Sequence, residues 1–230
     1  MIGIEGMGAA KIRRWLAIVS LACASAAAPV RAQVAQVTPN PNINAQLLVQ
    51  ARQGDLAGVD RLLAQGAVPD SRNRIGKTPL IMASETGSVQ LAERLLAAGA
   101  DPNLASVAGI TPLMAASFGG HAAVVKRLLA AGARTDPVDR VKKPAIVYAA
   151  GEGHADVLDL LIGSGIRVDT AYEHRLTPLM WAAGQGKVEA VRLLLARGAR
   201  KDLRDDRGLT AVEIARQASQ SAVLPLLGEQ

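Results

Sequence analysis

Aromatic side chains are almost missing from this sequence. It has two Trp, two Tyr and one Phe in 230 residues, 2% of the chain. That argues against a core built on large rings. Ala and Leu dominate, and thin, Ala-faced helices pack closely, which suits stacked helical layers. Cysteine is as scarce, since Cys23 is the only one, so packing rather than disulfide bridging must hold the fold together. Catalytic signatures are also missing. No Ser sits in a Gly-x-Ser-x-Gly turn, and neither a complete phosphate-binding Gly-x-x-x-x-Gly-Lys-Thr loop nor a His-Glu-x-x-His helix occurs.

The N-terminal segment 1–32 has the order of a signal peptide. Lys11, Arg13 and Arg14 form a basic flank, residues 15–28 are small and apolar, and Val30-Arg31-Ala32 supplies the small residues of a cleavage site, with Gln33 the first mature residue. The apolar stretch is short of the roughly 20 residues that span a bilayer, and Pro29 ends it. Met1 and Met7 both stand as starts, and Cys23 follows a weak lipoprotein-like box as an alternative to plain cleavage. Cleavage after Ala32 removes Lys11, Arg13, Arg14, Arg31 and Glu5, so the formal net charge falls from +6 to +3. The basic balance is then partly a property of the leader and gives nucleic-acid binding little support. Residues 33–41 read as a linker.

What the chain has in abundance is repetition. Thr78, Thr111, Thr177 and Thr210 lie at multiples of 33 residues from one another, with Pro144 in the vacant slot. Gly66, Gly99, Gly132, Gly165 and Gly198 keep the same period, each after a leucine-rich run. Thr-Pro suits a helix start, Thr as N-cap and Pro in the first turn. Gly87, Gly120, Gly153 and Gly186 suit a tight turn to a second helix with Val and Leu at i, i+3 and i+4. The later glycine suits a left-handed helix end.

The phrase TPLMAASFGGHAAVVKRLLAAGA, residues 111–133, closely resembles the ankyrin repeat. The resemblance covers about residues 42–228. It implies an all-α ankyrin-repeat solenoid of about six helix–turn–helix units of 33 residues joined by β-hairpin loops, with units near 42–73, 74–106, 107–139, 140–172, 173–204 and 205–228. The end units carry polar residues in the packed columns, Gln50 in the first and Arg216 in the last, as water-facing caps require. Unit four departs most from the pattern, with Lys142 for the loop glycine and Pro144 for the Thr, so its loop is expected to be irregular. The family's His in the Thr-Pro-Leu-His phrase is replaced by Ile81, Met114, Val147, Met180 and Glu213. The methionines read as adaptable filler or as an exposed patch.

In the family, partners dock on the concave face made by loop tips and the outer side of the first helices. Carried over residue by residue, the tip positions here are Arg74, Ile75 and Lys77, then Val107 and Ile110, then Val141 and Lys143, then His174 and Leu176. The helix-exit positions include Phe118, Glu152 and Gln185. Ile75, Val107, Ile110, Phe118, Val141 and Leu176 are apolar where solvent favours polar groups, and rows of this kind either mark an interaction surface or tuck between loops. Phe118, the sole Phe and near mid-array, is the expected anchor. Tyr148 and Trp181 share a slot beside the Ala pair and read as core.

His121 and His154 fall in the Gly-His slot, and their regularity marks them as structural. One unit apart, they stand too far from each other to share a metal ion with bonds of about 2 Å. Acid–base chemistry needs groups converging in a cleft, whereas a solenoid spreads them along a line. The basic residues of the later loops alternate with acids, and no aromatic stacking row accompanies them, which argues against nucleic acid. The sequence therefore leads to a monomeric, non-catalytic protein-binding scaffold, without cofactor or metal and with no stable membrane insertion once the leader is cleaved. It is expected to be exported, periplasmic or secreted. The alternatives are a chaperone-like protective factor for an exported enzyme and a secreted effector that binds a host protein.

Overall fold

A computed structural model of the chain describes residues 41–228, so the expected leader at 1–32 and the linker up to residue 40 lie outside the described residues. The described residues hold twelve α-helices and no strand. They run as pairs. The first members are α1 (Pro41–Gln53), α3 (Pro79–Thr86), α5 (Pro112–Phe118), α7 (Ala145–Glu152), α9 (Pro178–Gly184) and α11 (Ala211–Gln217). The second members are α2 (Leu56–Ala64), α4 (Val89–Ala97), α6 (Ala122–Ala130), α8 (Ala155–Gly163) and α10 (Val188–Ala196). After α11 the chain closes with a 3-10 turn at Ser221–Val223 and α12 (Leu224–Leu227).

Each first helix starts as its sequence demands. Thr78, Thr111 and Thr177 are extended, and their hydroxyls accept from the N–H three residues on, at 3.2, 3.2 and 3.3 Å. Pro144 occupies the same slot in the same extended conformation but offers no side-chain cap. First helices pack on first helices and second on second, with the core between the two layers. The Ala column 83, 116, 149, 182 and 215 is fully buried, and Leu80, Leu113, Ile146 and Leu179 fill the space behind it. Gln50 is half-buried and Arg216 exposed, so the end caps hold. Met114 and Met180 are 1% and 2% exposed. They are core filler, not a surface patch, because their slot faces the layer interior.

The turn between paired helices shows why glycine recurs. Gly87 and Gly120 have φ +70°, and a Cβ on either would lie 2.5 Å from the Nδ1 of the histidine one unit on, His121 or His154. Those rings are anchored by contacts between Nε2 and the carbonyl oxygens of Glu85 (3.1 Å) and Phe118 (2.9 Å). The histidines are thus packing and bonding elements between neighbouring units. Lys187 and Gln220 cover Gly153 and Gly186 in the same way.

The loops expected as β-hairpins are tight turns closed by a single backbone pair. Asn73 N–H donates to the Lys77 carbonyl at 3.1 Å, and Gly76 N–H donates back to Asn73 at 2.9 Å. One pair is too short to form a ladder. The loop of unit four is regular after all. Lys142 adopts the left-handed conformation of the glycine it replaces (φ +56°), and the same two bonds form. The irregular loop belongs to unit five, where Glu173–Arg175 forms a 3-10 turn with His174 and Arg175 both left-handed.

Candidate functional site

The loops aim their side chains through one local device. Asn73 Oδ1 accepts from the N–H groups of Ile75 (3.1 Å) and Lys77 (2.9 Å). Asp139 does the same for Val141 (2.9 Å) and Lys143 (2.8 Å), and Asp205 for Arg207 and Leu209 (both 2.9 Å). A short polar side chain at this position replaces the missing strand ladder. It holds Ile75 and Val141 outward, each 57% exposed. Val107 is exposed beside them, tied by its N–H to the Ile75 carbonyl at 3.0 Å. Arg140 N–H bonds the Ala108 carbonyl and Asp206 N–H the His174 carbonyl. Among the described residues no equivalent bond joins the loops of units four and five. There an ion pair, Lys142 Nζ to Glu173 at 3.4 Å, takes its place.

Behind the loops, one position per unit forms the floor of a groove: Met82, Ala115, Tyr148, Trp181 and Ile214. The first two are buried, while Tyr148, Trp181 and Ile214 are only partly covered. The slot lies beside the buried Ala pair, which is why Tyr148 and Trp181 read as core. Their rings are too large for the space between neighbouring first helices, so they emerge into the groove. Phe118, 55% exposed, stands against Tyr148 with ring centres 5.9 Å apart and planes at 84°, an edge-to-face pair. Lys143 Nζ lies 4.5 Å from the centre of the Trp181 ring, a cation–π contact.

Four depressions share these side chains. The largest, about 400 Å³, lies between Ile110, Phe118 and Tyr148 with Glu85 at its rim. A neighbour of about 190 Å³ joins Phe118 and Tyr148 to Trp181, Glu152 and Gln185. Beyond Trp181, one of about 320 Å³ reaches Arg207 and Ile214. Another, of about 270 Å³, runs from Trp181 to Leu176, Glu173 and His174. The expected residues Ile110, Phe118, Glu152, Leu176 and Gln185 thus meet along one groove. Ile110 and Leu176 are half-buried and packed on the core, so these two belong to the groove wall rather than to the exposed row. Lys143 is half-buried against Trp181. Val141 lines the depression of about 270 Å³ beside Trp181, while Arg74, Ile75 and Val107 stand apart on the loop tips.

Charge in the groove is mostly settled within the protein. Lys77 Nζ pairs with Glu85 at 2.6 Å, His174 Nδ1 lies 3.7 Å from Asp206, and Arg207 pairs with Asp205 at 2.8 Å. The Tyr148 hydroxyl donates to the Asp139 carboxylate. Burial and that bond to an anion push the Tyr148 phenol pKa well up, so it stays protonated at any physiological pH. Burial also raises that of Tyr172. Among the described residues no group of three or more His, Cys, Asp or Glu converges where it could hold a metal ion. No described helix is long and apolar enough to cross a membrane.

A family model for ankyrin repeats (3 copies) matches residues 47–140 and again residues 146–230. The chain belongs to the ankyrin-repeat family. Ankyrin repeats generally mediate protein–protein interaction and are typically non-catalytic. The groove of this ankyrin array lies where loop tips meet first helices, the surface on which the resemblance places partners. No curated protein matches the chain.

Proposed function

We propose that this ankyrin array is an exported, non-catalytic scaffold that holds a protein partner in the groove floored by Tyr148 and Trp181 and edged by Phe118. It acts in the periplasm or outside the cell. The supporting observation is the arrangement of the aromatics. A chain with so few rings has three of them at adjoining, partly uncovered positions beside a depression of about 400 Å³. Rings at such positions contribute most of the binding energy in many interfaces. The leader-like order of segment 1–32 supports export.

Capture from periplasmic extract and culture medium, with mass spectrometry, tests the reading. One stoichiometric partner is expected, lost with Phe118→Ala and Trp181→Ala while the far-UV circular dichroism spectrum stays unchanged. A partner retained by both variants would place the interface elsewhere. A chain found only in the cytoplasm would refute the location.

A further inference from the structure

The groove's charges are not equally satisfied. Lys77 and Glu85 neutralise each other, as do Lys142 and Glu173, and Arg207 and Asp205. His174 faces Asp206, and Lys143 rests on Trp181. Of the charged groups lining the four depressions, Glu152 alone makes no ion pair, side-chain hydrogen bond or cation–π contact among the described residues. It is exposed, and it borders the depression that contains both Phe118 and Tyr148. On the other side of the same two rings lies the largest depression, where the only charged lining group is again a carboxylate, Glu85. Glu85 is already paired with Lys77, and Lys143, which shares the Glu152 depression, rests on Trp181, so Glu152 is the one carboxylate left open beside the two perpendicular rings. No cation of the described residues stacks on them, although Lys143 does so on the ring one unit further on.

We infer that this aromatic pair receives a lysine or arginine side chain from an extended segment of the partner. The apolar stem lies across the uncovered surfaces of Phe118 and Tyr148, and the charge is directed to Glu152. The inference rests on the binding role proposed for the groove. Ring faces attract cations, Arg above all, and a long basic side chain buries its methylenes while its head stays near water. Neighbouring stacked helices stand about 8–10 Å apart, and an extended chain advances about 3.3 Å per residue. An apolar residue three positions after the basic one therefore falls beside Trp181 and Ile214, over the next depression. The exposed Arg74 and Arg140 at the loop tips favour an acidic segment instead, but they line none of the four depressions.

Fluorescence anisotropy on the full chain decides between these. The probes are labelled Gly/Ser octapeptides with one Leu, three residues after a variable position occupied by Arg, Gln or Glu. The Arg probe is expected to bind about tenfold tighter than the Gln probe. Glu152→Gln should shrink that ratio to about twofold, and raising the salt to about 1 M should weaken the Arg probe most. Phe118→Ala should weaken all three. Equal binding of all three, still lost in Phe118→Ala, overturns the basic anchor and leaves the groove as the docking surface. Preference for the Glu probe overturns it in favour of an acidic partner. An Arg probe that binds no tighter than about 1 mM also overturns it, and partner capture with Phe118→Ala then decides separately whether the groove is used at all.

Discussion

Single residues in this array are constrained by the unit that follows them. Gly87 has φ +70°, and any side chain there strikes His121. Gly54 has φ +73° but open space around a Cβ. Gly54→Ala is expected to cost only backbone strain, about 1–2 kcal/mol. Gly87→Ala should cost at least about 1 kcal/mol more, because the His121 ring must leave its contact with the Glu85 carbonyl. Urea denaturation of both variants measures the difference. The sequence displays this rule in the glycine column itself, which ends at Ser219. That residue is also left-handed (φ +58°), and it is exposed. The aromatic residues were harder to place. Tyr148 and Trp181 occupy a slot whose occupants in the preceding units, Met82 and Ala115, are buried. Only the volume of a ring against the spacing of two helices reveals that it must emerge. Phe118 was legible because its position, just before the turn glycines, carries Glu85 and Gly151 in neighbouring units.

At the scale of elements, helices were readable and loops were not. Thr-Pro marks the starts of α3, α5 and α9 and the leucine period marks the second helices, but a loop is set by one residue's φ, which sequence patterns reveal poorly. Lys142 accepts a glycine's conformation, whereas unit five needs two consecutive left-handed residues. The last element pair shows a different dependence, on pH. Burial opposes ionisation of Asp205, yet the N–H groups of Leu209 and Arg207 and the Arg207 guanidinium hold its carboxyl below the usual range. Bonds from the Thr210 N–H and hydroxyl do the same for Glu213, which closes the capping box of α11. A depressed carboxylate stabilises the fold above the ordinary carboxylate range, and that contribution is lost as pH falls through its folded-state pKa. Hydrogen exchange between neutral pH and about pH 3 should therefore show 205–228 losing protection before the central units. Uniform loss along the array would contradict this.

For the array as a whole, stability is carried by contact between neighbours. The ion pairs that join successive second helices, Asp60 with Arg94, Glu93 with Arg127 and Asp159 with Arg197, are exposed and contribute little. Buried Ala and Leu columns carry the rest. Leu128 is fully buried at the middle of this stack. Leu128→Ala is expected to cost about 2–5 kcal/mol, and to split one urea transition into two as the flanking stacks uncouple. Circular dichroism and exchange, read unit by unit, check both effects. A single transition with unchanged slope would mean that cooperativity spans all the units.

The covering of four turns by the next unit has a direction. His121 closes over Gly87, His154 over Gly120, Lys187 over Gly153 and Gln220 over Gly186, always the later residue over the earlier. A chain that emerges from the ribosome, or from an export pore, with its N-terminus first makes every socket before the group that fills it. Folding can then follow synthesis, each newcomer latching onto a finished predecessor, and the half-made array always displays one open socket at its growing end.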